Sequence, residues 1–457
     1  MKRLKTTLIA GVGVLASLLL ALLLILLANP PEILRVGANY AAKMVCSSVF
    51  LAGRDPAEVL RDDVQAPGVW VLRLYRVSVD RERGVVRAGL FGFIGSGLAV
   101  ARPGLGCAVI PDGRVTGIPQ YPPAPPPKAI PGGQAWPEGN AVGTDPKLNR
   151  LIADDTLTGA GTRAVLVVHH RQLVGERYGR GFDTDTRQLG WSLTKSVTAA
   201  LMGMLVQDRR LALEQHAGGW AAGDARANIA IADLLSMTSG LHFNESYGEV
   251  SDVTRMLFLE PDMAAFARAQ PLEHPVGTYW SYSSGTAVIL AREFQDAAGP
   301  SALELLRTRL FNPLGMTSAL IEADRRGTLV GSSYMYATPR DWARYGQFLL
   351  QQGVWHGQQI LPPGYVAMMA APVAASGGQY GHGQVWLWGS DSETPGRNPD
   401  TAFGLPADTF WIQGHDGQYV AIIPSRQVVI VRMGLTPARE HYRPQPLVRA
   451  VLSALPP

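Results

Sequence analysis

The sequence predicts a mixed α/β (α+β) protein in which one antiparallel sheet is built from both ends of its main region. Three observations predict this fold. A tight hairpin pattern opens the region, with alternating apolar residues at 163–169 and 172–178. Residues 211–299 then read as largely helical and rich in loops. Strand patterns return late, at residues 383–388, 409–413, 419–424 and 427–433. Strands from both ends, with helices inserted between them, imply one sheet with a helical subdomain alongside.

Length and charge set the broad class of the protein. At 457 residues the chain is long enough for two or three domains with a large core. Charged residues make up only 17 %, and the net charge of +4 is spread as scattered arginines. Nucleic-acid binding would require clustered Lys and Arg together with a reading module. We therefore expect no nucleic-acid partner.

The N-terminus carries an almost uninterrupted apolar run at residues 6–28, preceded by Lys2, Arg3 and Lys5. Its length suits a membrane span, and the basic flank favours a cytoplasmic N-terminus. We therefore predict that residues 1–30 form a single-pass transmembrane anchor in the inner membrane, with the rest of the chain on the periplasmic, extracytoplasmic side. A cleaved signal peptide is the alternative, because Ala28 is small, but the pattern of small residues before a cleavage site is poor.

A small extracytoplasmic segment is predicted at residues 31–118. It contains mixed helix and loop, followed by strand patterns at 69–79 and 85–93 around a polar turn. The chain has only two cysteines, Cys46 and Cys107, and both lie in this segment. A disulfide between them would close a loop of about 60 residues and stabilise the fold by roughly 4 kcal/mol in the chain-entropy model. Two buried free thiols are the alternative, and export favours the disulfide.

A proline-rich linker is predicted at residues 119–140, where Pro122 opens the run Pro-Pro-Ala-Pro-Pro-Pro. Such a run stays extended and cannot join a helix or a central strand, so it is the best domain boundary in the chain. Residues 141–457 would then form the main domain. Besides the elements above, its helices are expected at residues 145–153, 303–310, 339–352 and 445–455.

A serine stands three residues before a lysine at the start of an alanine-rich helical pattern, as Ser192 and Lys195. Residues three apart share one helix face, so the hydroxyl and the amine can meet. A serine becomes a good nucleophile when a neighbouring base takes its proton, and a neutral lysine can be that base. The alternative is a serine near a helix cap and a solvated lysine.

Lysine usage favours the catalytic interpretation of this pair. The chain uses arginine almost everywhere, and its lysines are only Lys2, Lys5, Lys43, Lys128, Lys147 and Lys195. Because arginine cannot lose its proton in a protein, a position that requires a neutral amine must keep lysine.

Two later stretches add candidate site residues. Tyr282 lies in a loop rich in Ser and Gly, and His415 lies in a Gly-His-Asp-Gly turn between two late strands. Taken alone, a tyrosine in such a loop is more often a packing residue, and a histidine in a turn is usually only polar.

In this order and at these distances, the stretches resemble motifs of the serine β-lactamase and penicillin-binding-protein superfamily. Within it, the likeness is to class C-like esterases and 6-aminohexanoate-oligomer (dimer) hydrolases. The resemblance covers about residues 145–457 and implies a β-lactamase-like fold. The matching motifs are Ser192-x-x-Lys195, Tyr282-x-Ser284 and His415-x-Gly417, with further likeness at residues 233–241 and 404–410.

The resemblance implies a role for each of these residues. Ser192 would attack a carbonyl and form an acyl-enzyme, while Lys195 and Tyr282 would share the proton transfers. The backbone N–H groups of Ser192 and Gln418 would form the oxyanion hole. The residues expected to bind substrate are Ser284, His415, Gly417, Tyr247 and Ser333. No metal or organic cofactor is expected, since the histidines lack ligand spacing.

Two departures from the β-lactamase pattern bear on the substrate. No lysine follows Lys195, although β-lactam-active relatives commonly carry one in the third motif, and Ser284 stands where many β-lactamases have asparagine. Both favour a small-molecule ester or small linear amide as the substrate.

Other functions are kept open. A β-lactamase or a DD-peptidase acting on cell-wall peptides is one alternative, and a non-catalytic binding protein on the same fold is another. An α/β-hydrolase is disfavoured because the chain has no Gly-x-Ser-x-Gly elbow.

Overall fold

The computed structural model describes residues 2–66, 69–122, 133–143, 145–390 and 397–456. The centre of the predicted proline-rich linker, residues 123–132, lies outside the described residues. The elements fall into an N-terminal helix, a small α/β part and a larger α/β part.

The chain begins with one long helix, α1 (Lys2–Ala28). At 27 residues it is about 40 Å long, enough to cross the hydrocarbon core of a bilayer. Its apolar window Gly11–Ala28 is long enough to span a membrane, and none of that window is buried inside the molecule. The same length and composition suit an anchor and a signal sequence.

The part that follows is a helix packed on a four-stranded antiparallel sheet. Cys46 and Cys107 form a disulfide in the structure, which joins the helix to the last strand. The predicted strand at 69–79 begins only at Tyr75, because residues 70–74 form a 3₁₀ turn. The elements are α2 (Glu32–Phe50), α3 (Pro56–Val59), β1 (Tyr75–Asp80), β2 (Val85–Leu90), β3 (Ile94–Arg102) and β4 (Gly106–Val109), with the strands adjacent in sequence order.

The larger part alternates between sheet and helices. Its first elements are α4 (Pro146–Ile152), α5 (Asp155–Thr158), β5 (Thr162–His169), β6 (Gln172–Tyr178), β7 (Gln188–Leu189), α6 (Leu193–Gln207), α7 (Ile231–Leu235), α8 (Asp252–Leu259), α9 (Met263–Arg268) and α10 (Ser284–Ala298). Its later elements are α11 (Ala302–Leu306), β8 (Leu320–Ile321), β9 (Met335–Ala337), α12 (Pro339–Leu350), β10 (Val354–Trp355), β11 (Gln358–Gln359), α13 (Tyr365–Met369), β12 (Phe410–Gly414), β13 (Gln418–Ile423), β14 (Val428–Gly434) and α14 (Gln445–Ala454).

The main sheet has five antiparallel strands in the order β12-β13-β14-β5-β6. Strands from the two ends of the region meet at its centre, where Val431 of β14 pairs with Leu166 of β5. The predicted fold, one antiparallel sheet built from both ends with helices inserted, is confirmed. The predicted strand at 383–388 is wrong, because Gln384 takes a φ of 58° that interrupts extended backbone, and only Trp386 forms a bridge to β12.

Helices cover both faces of this sheet. Val165 and Val167 of β5 pack with apolar residues of α4 and α14, whereas Leu166 and Val168 pack into the core that contains α6 and α12. This alternation is the period of two that a strand buried on both faces imposes. The face formed by Leu166 and Val168 therefore packs against α6, the helix that carries Lys195 in its first turn.

The small part and the large part share one hydrophobic core, which runs from α2 through α6, α10 and α12. Polar contacts join them as well. Lys43 of α2 forms a buried ion pair with Glu322, which also accepts hydrogen bonds from Ser47 Oγ and from the backbone N–H of Cys107. Arg102 donates to the backbone carbonyls of residues 323 and 324.

Candidate active site

Ser192 lies at the N-cap of α6, directly after a strained turn. Trp191, the residue before it, has a φ of 49°, which is rare for a bulky side chain and characteristic of sites where the surrounding structure enforces a conformation. The first backbone N–H groups of a helix lack intrahelical partners and attract negative charge. Ser192 is therefore placed where an oxyanion that forms beside it meets a favourable field.

Lys195 lies one turn along α6, with its amine aimed back at Ser192. Its Nζ is 2.9 Å from Ser192 Oγ, 3.0 Å from Ser284 Oγ and 3.1 Å from the backbone carbonyl of Ser332. The side chain is 1 % exposed. Burial lowers the pKa of Lys195 to about 8, although the Glu245 carboxylate acts in the opposite direction. Burial thus shifts this amine toward the unprotonated form that can act as a base.

Tyr282 approaches Ser192 from the loop before α10. Lys195 Nζ lies 4.8 Å from the centre of the Tyr282 ring, and the Ser192 side chain is near enough to affect the pKa of Tyr282. Burial, and then the charge of Glu245, raise the pKa of Tyr282 above its ordinary value, against the opposing effect of the Ser192 side chain. The phenol therefore keeps its proton at neutral pH, whereas Lys195 is the group whose pKa moves toward neutrality.

Glu245 is part of this cluster, and the sequence analysis did not single it out. Its carboxylate accepts a hydrogen bond of 2.8 Å from the backbone N–H of Ser284 and a second from the Ser284 hydroxyl. Ser284 in turn contacts Lys195. The only sequence signal was its position two residues before Tyr247, and no spacing rule links an acidic loop residue to a distant Ser-x-x-Lys pair.

Three aromatic rings form one wall beside Ser192. The ring of Tyr247 stacks on that of His415 with centroids 4.5 Å apart, and Trp191 packs edge-on against both. Burial raises the pKa of Tyr247, and the charge of Glu245 acts in the same direction. The structure thus brings the predicted Tyr247 and His415 together, and adds Trp191 to them.

The late strands run beside the residues that precede Ser192. A side chain on Gly414 would place its Cβ 2.3 Å from the backbone carbonyl oxygen of Gly190, so β12 can lie here only with a glycine. Gln418 pairs with Gly414 across the turn. Gly417 has a φ of 84°, and a Cβ there would lie 2.6 Å from Arg432 Nη1.

Ser332 and Ser333 are two buried serines next to the Lys195 amine. Ser333 is fully buried, and its hydroxyl contacts that of Ser332 at 2.9 Å. The contact with the site is made by the backbone carbonyl of Ser332, which holds the Lys195 amine. The predicted role of Ser333 in binding substrate stays a prediction.

Among the residues that the structure describes, no group of three or more His, Cys, Asp or Glu side chains is arranged to hold a metal ion. The polar groups around Ser192 are instead a lysine, a phenol, hydroxyls and one carboxylate. This set is suited to moving a proton to and from a serine hydroxyl.

Comparison with known proteins places this site in a family context. The family model described as Beta-lactamase matches residues 148–447, about two thirds of the chain. The 6-aminohexanoate-dimer hydrolase of Paenarthrobacter ureafaciens is 25 % identical over 228 residues, which cover 46 % of this chain and 57 % of that protein. The match thus spans little more than half the length of this curated relative.

Two solved structures share the fold. A Bacillus anthracis protein provisionally described as a 6-aminohexanoate-dimer hydrolase is 24 % identical, with a TM-score of 0.53 over 66 % of this chain and 79 % of that one. A provisionally described beta-lactamase from Bacteroides dorei is 21 % identical, with a TM-score of 0.51 over 66 % of this chain and 94 % of that one. At these identities the likeness shows the fold alone.

Proposed function

This chain belongs to the beta-lactamase family, and we propose that it is a membrane-anchored serine hydrolase that cleaves esters or small linear amides through an acyl-enzyme on Ser192. The observation that carries the proposal is the contact between a buried, low-pKa lysine and a serine at a helix start. Lys195 Nζ lies 2.9 Å from Ser192 Oγ, and its pKa is about 8.

The proposed reaction has two halves. Lys195 takes the hydroxyl proton while Ser192 Oγ attacks the carbonyl carbon, and a new C–O bond to serine forms. The bond from that carbon to the leaving oxygen or nitrogen then breaks, and the leaving group receives a proton through Tyr282. Water attacks the acyl-enzyme in the same way, which releases a carboxylic acid and restores Ser192. The backbone N–H groups of Ser192 and Gln418 would stabilise the oxyanion in both halves.

The chemistry of the substrate side favours esters and linear amides over β-lactams. The third motif presents His415, which is stacked on Tyr247, and no lysine follows Lys195 in the sequence. The curated relative from Paenarthrobacter ureafaciens is named for a linear amide, the 6-aminohexanoate dimer. We extend that substrate class to this chain as part of the proposal.

The catalytic test is hydrolysis of p-nitrophenyl acetate and butyrate, nitrocefin and a linear 6-aminohexanoate dimer by the full-length protein in detergent. We expect Ser192→Ala to lose at least 10³-fold in kcat and all labelling by a fluorophosphonate, as removal of an activated nucleophile does. Ser196→Ala, the same change one turn further along α6, is the control and should keep turnover. Activity retained in Ser192→Ala would exclude this mechanism.

The substrate panel also separates the alternatives. Dominant nitrocefin turnover would make the protein a β-lactamase, and release of D-Ala from a cell-wall peptide would make it a DD-peptidase. No turnover of any substrate, together with no labelling, would favour a non-catalytic binding protein.

The proposed anchoring is tested separately. We expect the full-length protein to stay in the membrane pellet after carbonate extraction, and a chain that begins at residue 31 to be released, because the apolar window Gly11–Ala28 would supply the span. A C-terminal alkaline phosphatase fusion should be active, since the proposal places the hydrolase outside the cytoplasm. Release of the uncleaved full-length protein by carbonate would contradict the anchor.

A further inference from the structure

A cavity of about 380 Å³ lies between the small N-terminal part and the aromatic wall beside Ser192. Its volume is within the ~300–1,000 Å³ of small-molecule pockets. Nearly half of its lining residues come from α2 and residues 69–75. The N-terminal part therefore supplies one wall of a chamber whose other wall belongs to the proposed active site.

The N-terminal wall of this cavity is apolar. It is lined by side chains such as Leu34, Val36, Val71 and Leu72, with Phe258 of α8 facing them. The charged residues of the lining all come from the other part of the molecule, at Glu249, Asp416 and Arg439. A ligand that fills the cavity thus meets hydrocarbon on the N-terminal side and polar groups on the opposite side.

One end of the cavity lies against the aromatic wall beside Ser192. Trp191, Tyr247 and His415 line it. Trp191 directly precedes Ser192, and its ring packs against those of Tyr247 and His415. The cavity therefore ends one side chain away from the groups that would carry out the reaction.

The apolar wall of the cavity lies close to the end of α1. The part of this wall that α2 supplies begins at Ile33, five residues after the last residue of α1. It extends to Tyr40, which lies about 12 Å from the start of α2. Ile33 and Val69 of the lining are 44 % and 51 % exposed, and the neighbouring Trp70 is 73 % exposed. Exposed apolar groups at an opening beside a membrane-spanning helix are suited to contact with lipid.

The N-terminal wall is held firmly in place. The buried Lys43–Glu322 pair and the Cys46–Cys107 disulfide fix α2 to the rest of the molecule. Tyr40, a lining residue, packs edge-on against Phe258 at 5.5 Å between ring centres. The chamber is consequently a built part of the fold.

We propose that this cavity holds a long hydrocarbon chain of the substrate, so that the enzyme acts on esters of membrane lipids whose chain enters from the bilayer surface beside α1. The inference rests on the proposed serine hydrolase function and names its substrate class. The hydrocarbon chain packs between α2 and residues 69–72, while the ester carbonyl reaches Ser192 past Trp191 and Tyr247.

Chain length is the first test, with the full-length protein in a nonionic detergent. One series of substrates is p-nitrophenyl acetate to octanoate, and the second is butyl to octyl acetate, so that the chain is varied on each side of the ester. A fully buried methylene contributes about fourfold to kcat/KM. We expect at least a tenfold rise from four to eight carbons in one series. Equal kcat/KM across both series would overturn the proposal.

Variants that fill the cavity provide the second test. Val71→Trp and Leu34→Trp place a large ring in the apolar wall from different elements, and Leu74→Trp is the control, a half-buried residue of the same 3₁₀ turn that does not line the cavity. We expect the first two to abolish the rise with chain length, whereas Leu74→Trp should keep that rise and its acetate turnover within twofold of the wild-type protein. A rise that persists in both filled variants would overturn the proposal.

A binding measurement keeps the two proposals distinguishable. Ser192→Ala should bind the fluorescent fatty acid cis-parinarate, and adding Val71→Trp should weaken that binding at least tenfold, whereas adding Leu74→Trp should not. Turnover of short esters with parinarate binding that Val71→Trp leaves unchanged would overturn the chain site and leave the hydrolase function standing. Loss of all ester turnover, together with parinarate binding that Val71→Trp weakens, would overturn the hydrolase function and leave the chain site standing.

A further experiment tests whether the hydrocarbon chain of the substrate comes from a bilayer. It uses p-nitrophenyl palmitate dissolved in phosphatidylcholine vesicles that hold the full-length protein. Hydrolysis that Val71→Trp reduces at least tenfold, and that Leu74→Trp retains, supports a lipid of the bilayer. Hydrolysis confined to the dissolved octanoate ester would overturn the membrane source and assign the cavity to a soluble ester.

Discussion

Two opposing influences act on the Lys195 amine. Burial lowers the pKa of Lys195 to about 8, and the negative charge of Glu245 raises it. If Lys195 is the base in acylation, its active form is the unprotonated one. We therefore expect kcat/KM for p-nitrophenyl acetate to rise with pH and to level off above about 8.

Glu245→Gln should move this pH profile. The change removes the charge that raises the pKa of Lys195. The amide oxygen can still accept the hydrogen bond from the Ser284 backbone N–H, and the amide NH2 can donate to the Ser284 hydroxyl in place of the bond that the carboxylate accepted. We expect the rise in kcat/KM to occur at lower pH than in the wild-type protein. The measurement is kcat/KM between pH 5 and 10, and Glu214→Gln, the same change at an exposed residue after α6, is the control. An unchanged or higher apparent pKa in Glu245→Gln would contradict the assigned role.

At the level of single residues, the sequence predicted those members of the site that belong to spaced motifs. Ser192 and Lys195 are linked by helical geometry, and Tyr282 and His415 by the order of the family motifs. Glu245, Trp191 and the Ser332 carbonyl act through contacts across the fold. No local pattern encodes such contacts, so only the structure could supply them.

The disulfide between α2 and β4 leads to a prediction about these elements. It closes a loop with a sequence separation of 61, which corresponds to about 4 kcal/mol of stabilisation in the chain-entropy model. We expect the double variant Cys46→Ala, Cys107→Ala to lose up to that amount in the free energy of unfolding. Chemical denaturation of the full-length protein in detergent measures it.

Reducing agent provides the control for this prediction. It should destabilise the wild-type protein and leave the double variant unaffected, since the variant has no bond to reduce. A double variant as stable as the oxidised wild-type protein would mean that the bond contributes nothing to the fold.

Secondary-structure elements were predictable where the apolar period was sustained over many residues. β5, β6 and β14 are buried on both faces or paired along their whole length, so their sequences carry the strand period. The patterns at 69–74 and 383–388 have strand-like composition, but a 3₁₀ turn and a positive φ at Gln384 replace extended backbone there. Backbone conformation of that kind is decided by packing against distant residues.

The contact between the two α/β parts leads to a prediction for the whole molecule. Lys43 and Glu322 are both almost completely buried, and removing the lysine would leave an uncompensated carboxylate inside the protein. We expect Lys43→Met to lower the free energy of unfolding by roughly 3 to 5 kcal/mol. Lys147→Met, an exposed lysine in α4, should change it by less than about 0.5 kcal/mol.

A second variant separates charge from packing. Lys43→Met combined with Glu322→Gln removes the unpaired charge, and we expect it to regain part of the lost stability. Thermal unfolding of the full-length protein in detergent compares the variants. Lys43→Met as stable as Lys147→Met would show that the pair does not hold the parts together.

At the scale of the whole molecule, the sequence predicted an anchor, a small segment, a linker and a main domain in this order, and that division stays a prediction. The sequence could not indicate that the small segment shares a continuous core with the large one, because that depends on which surfaces meet. Nor could it indicate that residues 33–40 line a cavity beside the proposed nucleophile.

The shared core bears on how this enzyme can be produced in recombinant form. Expression of residues 148–447 alone would follow the family match, yet it would strip α2 from the apolar surface that it covers and leave Glu322 without its lysine. Newly exposed apolar surface promotes self-association, so such a fragment should accumulate in inclusion bodies. A shortened version intended for purification without detergent should begin near residue 31, after α1, and keep the small part attached.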